Sequence, residues 1–315
     1  MITTGGSEAL RFAFLACLNP GDEIIVPEPF YANYLGFATE SGLAIKPITT
    51  YVESGFALPP IEAFEQVIST RTKAILLCNP SNPTGKLYPR EELEGLRDIV
   101  KKHDLWLFSD EVYKEFAYDG ETFTSALQLE GIEQNVVMMD SVSKRYSGCG
   151  ARVGSLVCRN KDMLASALKF AQARLSPPTL GQIGAEVLIG LPQSYYDDIV
   201  KEYKLRRDVV IAALRGMPGV VCPEVKGAFY VMPKLPIDDS DRFCQWLLEE
   251  FSYEGATVMM APATGFYATP GLGKQEVRIA YVLEVPVLRK AMAALARALA
   301  VYPGRTLEKA TSLVA

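Results

Sequence analysis

The sequence predicts an α/β protein whose main sheet is covered by helices on both faces, followed by a smaller α+β unit. Three observations predict it. Short runs nearly continuous in apolar and β-branched residues alternate with helix-like stretches through the first half of the chain. A single charge-rich helical pattern then spans residues 191–217, too long for an ordinary crossover. Beyond it, short strand-like runs and helices mix. The long helix is expected to join a large domain over residues 1–195 to a small one over residues 196–315.

The opening "MITTGGSEAL" reads as the end of a strand or loop running straight into a helix, with Leu10, Phe14 and Cys17 on one face. Strand-like runs follow at "EIIV" (23–26), "LAIKPIT" (43–49), "KAILLC" (73–78), "LWLFSD" (105–110), "VVMMD" (136–140) and "VGSLVC" (153–158). After "YPREE", Leu93, Leu96, Ile99 and Val100 share a helical face. In the last third, "GAFYVMPKL", "VMMAP" and "VRIAYV" read as strands. "SDRFCQWLLEEFSYEG" and "PVLRKAMAALARALA" read as helices.

With 315 residues and 49% hydrophobic composition, the chain has ample material for a buried core. It carries 32 basic against 37 acidic residues and no basic block, which argues against nucleic acid as a partner. No apolar run approaches the roughly 20 residues of a membrane helix, and no charged-then-apolar signal opens the chain. The six cysteines are scattered without a C-x-x-C pair, as expected of reduced thiols in the cytoplasm. The single histidine, His103, falls at the expected end of a helix, so histidine-based metal binding is excluded by count.

In an α/β sheet, ligands gather at the carboxyl ends of the strands, and four polar clusters fall there. "TTGGSEAL" sets Gly5, Gly6 and Ser7 before an apolar helix, either as a seat for phosphate on unpaired N–H groups or as an ordinary serine cap. "CNPSNPTG" follows a strand with a proline-rich turn, either to aim the Asn82 amide at a ligand or as simple turn chemistry. "FSDEVYKEF" ends a strand with Asp110, Glu111 and Tyr113, with helix capping by Asp110 as the alternative. "SVSKRYSGCGARVG" places Lys144 among small residues with Arg152 eight positions on, an amine beside an anion site.

Together these segments resemble the class I/II aminotransferases, fold type I enzymes that depend on pyridoxal phosphate. The resemblance rests on a glycine-serine phosphate loop, N-P-x-N-P-T-G, D-E-x-Y, and S-x-S-K followed by G-x-R-x-G, in the family's order. It covers essentially the whole chain. It implies a mostly parallel seven-stranded sheet in the large domain, pyridoxal 5'-phosphate as cofactor, amino acid and 2-oxo acid substrates, and a homodimer. By the same match Lys144 is the Schiff-base lysine and Asp110 pairs with the pyridine nitrogen. Tyr113 and Asn82 face the phenolic oxygen, with Asn82 also near substrate. Gly6, Ser7, Ser141 and Arg152 hold the phosphate, while Ser143 shapes the loop. Tyr31 stacks on the ring, and Arg278 in "VRIAYV" grips the substrate carboxylate.

The family carries a further stretch ahead of the phosphate loop, which supplies an N-terminal arm, part of the small domain and a tyrosine that reaches the neighbouring subunit. Relative to that pattern this chain is expected to be truncated. The resemblance leaves the amino donor open, with "APATGFYATPGLG", and Phe266 or Tyr267 within it, expected to border the side-chain pocket. It also admits a lyase or synthase on the same fold, or the sensor domain of a transcription regulator.

Overall fold

The computed structural model describes residues 1–307. Seven strands form the main sheet: β1 (Ile2–Thr3), β2 (Glu23–Glu28), β3 (Ala44–Thr49), β4 (Thr72–Cys78), β5 (Trp106–Asp110), β6 (Val136–Ser141) and β7 (Gly154–Cys158). Their spatial order is β1-β7-β6-β5-β4-β2-β3. The five strands from β6 to β3 run parallel, while β7 is antiparallel to β6 and β1 antiparallel to β7. The sheet is therefore mostly parallel. Each of the six internal apolar runs became a strand, and "MIT" supplied the seventh, paired through Ile2 with Ser155 and Thr3 with Gly154.

Side chains alternate across this sheet, and both faces are buried. On one face Ile24, Val26, Leu76, Phe108 and Val137 pack against Ala9, Leu10 and Phe14 of α1 (Gly5–Cys17). On the other, Ile25, Ile75, Leu77 and Leu107 meet Leu93, Leu96, Ile99 and Val100 of α4 (Arg90–His103). Two short helices, α2 (Asn33–Glu40) and α3 (Ile61–Val67), complete the crossovers around β3. His103 closes α4, as its position in the sequence suggested.

After β6 come α5 (Val142–Arg145), then α6 (Lys161–Arg174), α7 (Thr179–Ile189) and the long α8 (Gln193–Arg215). The expected boundary at residues 195–196 falls in the first turn of α8. The first core cluster continues without a break into the C-terminal part, through Val210 and Leu214 of α8, Val231, Val277 and Leu295. There β8 (Tyr230–Val231), β9 (Ala261–Pro262) and β10 (Val277–Ala280) form a three-stranded antiparallel sheet, flanked by α9 (Ser240–Glu249) and α10 (Val285–Val301).

Several C-terminal elements are shorter than their patterns suggested, with "GAFYVMPKL" reduced to Tyr230–Val231 and "VRIAYV" to Val277–Ala280. The run "VMMAP" pairs only at Ala261 and Pro262, because β10 offers it just Arg278 and Val277 as partners. The helix expected to reach Gly255 ends at Glu249; Glu254 and Gly255 take left-handed φ values of 52° and 75°, which turn the chain back on itself.

Candidate active site

Loops from the carboxyl ends of the parallel strands meet in one cavity of about 400 Å³. All ten residues expected to act line it: Gly6, Ser7, Tyr31, Asn82, Asp110, Tyr113, Ser141, Lys144, Arg152 and Arg278. Three cations, Lys144, Arg152 and Arg278, share that lining with one carboxylate, Asp110. Such a balance favours anionic ligands.

The N-terminus of α1 forms one wall. The helix begins at Gly5, so Ser7 lies in its first turn and is not the cap, which is Thr4 without a side-chain capping bond. The N–H groups of this turn are left for a ligand. Gly5 holds φ 77°, and a Cβ there would come within 2.5 Å of Arg152 Nη2. The missing side chain lets the guanidinium lie over the turn. Arg152 is itself left-handed (φ 53°), with Nη1 donating to the Cys149 carbonyl at 3.0 Å.

Lys144 follows β6 on the single turn α5. Its neighbour Arg145 is tied to Asp140 and, at 3.2 Å, to Glu115. That anchors the turn and leaves Lys144 to enter the cavity, where its Nζ lies 5.7 Å from the centre of the Tyr113 ring. Lys144 is half-buried rather than buried. Ser141 caps α5 by accepting from the Ser143 N–H at 3.1 Å, and its hydroxyl lies 2.7 Å from that of Ser143. Both serines thus shape the lysine turn.

Asp110 ends β5 at the floor. Tyr34 donates to its Oδ2 at 2.7 Å, and the Val112 N–H reaches Oδ1 only at 3.4 Å. No helix follows, so capping is not its task. Burial pushes the Asp110 carboxyl above its ordinary range, with the Tyr34 bond the chief opposing influence. Burial, together with the Asp110 charge, likewise raises the Tyr34 hydroxyl.

Opposite stands a chain of contacts. Arg278 on β10 donates from Nη1 to Asn82 Oδ1 at 3.0 Å, Asn82 Nδ2 lies 3.5 Å from the Tyr113 hydroxyl, and that hydroxyl lies 3.0 Å from Tyr230's. The Arg278 guanidinium is sandwiched between the rings of Tyr230 and Phe266, at 4.8 and 4.9 Å. Its Nε is buried and has no hydrogen-bond partner among the described residues. Burial first, then Tyr230, pushes the Tyr113 hydroxyl well above its usual value.

The comparisons with known proteins agree with this geometry. The sequence model of the family described as aminotransferase class I and II matches residues 1–299. The chain belongs to that family. The aminotransferase is 32% identical over 306 residues to the aspartate/prephenate aminotransferase of Cereibacter sphaeroides, covering 93% of this chain and 74% of the relative. It is 34% identical over 294 residues to the aspartate aminotransferase of Thermotoga maritima, covering 93% and 73%. The solved aspartate aminotransferase of Thermus thermophilus with maleate superposes with a TM-score of 0.84 at 31% identity, covering 95% of this chain and 75% of that one. The fold is that of these enzymes, and the reaction is pyridoxal phosphate-dependent transamination.

Two residues of the aminotransferase site escaped the sequence reading. Tyr34 sits three residues beyond Tyr31 in the same "EPFYANY" segment, the second residue of α2. Tyr230 lies in "GAFYVMP", where it looked like an ordinary strand aromatic. Neither Phe266 nor Tyr267 lines the cavity. Phe266 backs Arg278, and the Tyr267 hydroxyl is bound to Glu276 at 2.5 Å. Among the described residues no helix is long and apolar enough to cross a membrane, and no cluster of His, Cys, Asp and Glu is arranged to hold a metal.

Proposed function

We propose that the cavity holds pyridoxal 5'-phosphate and that the chain passes the amino group of an α-amino acid to a 2-oxo acid, with aspartate the first donor to try. One observation carries the reading: an amine, a carboxylate and two arginines from segments far apart in sequence line the same cavity. The residues fit the cofactor. Gly6, Ser7 and Arg152 hold its phosphate at the positive end of α1, assisted by Ser141. Tyr31 lies beside the ring, Asp110 takes the ring nitrogen, and Tyr113 and Asn82 take the phenolic oxygen.

Bound there, pyridoxal phosphate supplies an electrophilic aldehyde carbon and a ring that withdraws electrons from the substrate α-carbon. Asp110 would keep a proton on the ring nitrogen by offering it a carboxylate at the end of β5. Lys144 anchors the cofactor. Its Nζ would also take up the proton lost from the substrate α-carbon and deliver it to the cofactor's aldehyde carbon on the other side of the transferred nitrogen. Arg278 binds the α-carboxylate, its free edge turned to the cavity while Nη1 is held by Asn82.

The relatives named for aspartate suggest a dicarboxylic donor. A homodimer belongs to the same proposal: α7 leaves Leu180, Ile183 and Val187 exposed at 85%, 56% and 70%, an apolar face suited to a second copy. A cytoplasmic setting fits six free cysteines. The division into a large domain through residue 195 and a small one after it is likewise proposed, with α8 as the connection.

The test is turnover of aspartate with 2-oxoglutarate by the chain loaded with pyridoxal phosphate, alongside Lys144→Ala. The alanine variant is expected to bind cofactor and show no turnover. Wild-type rates in that variant would end the assignment.

A further inference from the structure

We propose that Glu28 is a positioning residue, setting the orientation of Arg278 through the segment 266–269. The proposal rests on Arg278 as the carboxylate-binding group. Glu28 ends β2 and is completely buried. Its Oε1 accepts from Thr49 Oγ1 at 2.8 Å, and its Oε2 accepts from the backbone N–H groups of Ala268 and Thr269 at 2.8 and 3.1 Å. Among the described residues it makes no ion pair. A carboxylate buried without a cation is costly, and only its hydrogen bonds offset that cost.

Those bonds join parts of the chain 240 residues apart. They attach the segment after Phe266 to the strand end that leads into Tyr31 and Tyr34. A second bond reinforces the seam, from the Phe30 N–H to the Phe266 carbonyl at 2.9 Å. The Phe266 ring is one wall of the sandwich around Arg278. With its Nε unpartnered and one bond to Asn82, the guanidinium depends on the two rings for its tilt. The buried carboxylate therefore reaches substrate by a short route: Glu28 holds Ala268 and Thr269, this fixes Phe266, and Phe266 fixes the plane of Arg278. Bidentate carboxylate binding is sensitive to that plane.

The test compares Glu28→Ala, Glu28→Gln, Phe266→Leu and Arg278→Lys in the cofactor-loaded chain. It measures KM and kcat for the amino donor and the 2-oxo acid, the calorimetric Kd of succinate as a non-reacting dicarboxylate, and Tm. Glu28→Ala is expected to raise KM and the succinate Kd about tenfold while kcat stays within about threefold. Glu28→Gln should restore most of the loss, because its amide oxygen accepts from the two N–H groups and the Thr49 hydroxyl turns to accept from its NH2. Phe266→Leu leaves Glu28 intact and should reproduce the KM rise, so the idea remains testable if the alanine variant fails to fold. A lowered Tm with wild-type KM and Kd in the Glu28 and Phe266 variants, while Arg278→Lys weakens both, overturns the positioning role alone. Unchanged binding in Arg278→Lys overturns the assignment of Arg278 itself.

Discussion

Arg278 Nη1 donates to Asn82 Oδ1 at 3.0 Å across 196 residues of sequence, joining the small antiparallel sheet to the loop after β4. The same Asn82 amide lies 3.5 Å from Tyr113, so one side chain touches both the expected carboxylate-binding group and the expected cofactor-binding hydroxyl. Asn82→Ala removes both contacts. The kcat/KM for either substrate is expected to fall by about 1–3 kcal/mol in transition-state terms, roughly 5- to 150-fold, as a half-buried charged donor loses its acceptor. Steady-state kinetics on both half-reactions check this.

Asp110 carries a pH signature. Burial raises its carboxyl in the cofactor-free chain, so over the window between the unfolded value and the raised folded one the folded state binds more protons than the unfolded state. Its contribution to stability is complete below the unfolded value and is lost as pH rises through the folded one. Asp110→Asn is therefore expected to melt a few degrees higher than wild type at neutral pH without cofactor, and to be nearly inactive with it. Calorimetry across pH 4–8 reads the first effect and turnover the second.

Tyr34→Phe removes the strongest influence holding the Asp110 carboxyl down. The acid limb of the kcat/KM profile is expected to move to higher pH, since Asp110 must be ionised to serve the ring nitrogen. A profile superposable on wild type would show that the hydrogen bond has no part in tuning the carboxylate.

Gly5→Ala meets two obstacles, a φ of 77° and a new Cβ 2.5 Å from Arg152 Nη2. The strain is about 1–2 kcal/mol for the backbone alone. Displacing Arg152 should also weaken affinity for pyridoxal phosphate at least about tenfold, as loss of a charge-assisted contact implies. A fluorescence titration of the cofactor is the measurement.

Arg207 on α8 is buried and clamps Asp119 with two bonds of 2.6 and 3.1 Å, its guanidinium 4.9 Å from the Tyr118 ring. Its hydrogen bonds hold the Asp119 carboxyl well below the usual carboxylate range. That contribution is present above the ordinary carboxylate value and is lost as pH falls through the depressed one. Arg207→Leu should cost about 1 kcal/mol at neutral pH through the lost pair, because Asp119 is exposed and water solvates its carboxylate once the guanidinium is gone. The deficit should narrow under acid conditions, as urea titrations at two pH values will show.

Much of this molecule was legible one residue at a time. Every internal strand of the main sheet announced itself as a short apolar run, because a strand buried on both faces must be apolar at successive positions. Lys144, Asp110 and Arg152 stood out because their chemistry needs particular side chains beside particular turns, whereas Arg278, on a strand, was singled out only by the family resemblance. Tyr34, Tyr230 and Glu28 did not. Each looks ordinary in its own segment and matters only through a partner 76, 117 and 240 residues away. Sequence by itself determined the alternation of elements, the apolar faces and the reactive groups, all consequences of local spacing and side-chain type. Tertiary structure alone decided the strand order, the antiparallel return of β7 and β1, the early end of α9 and which hydroxyl or carboxylate meets which charge. Those outcomes depend on how distant segments pack, and local periodicity carries no record of that.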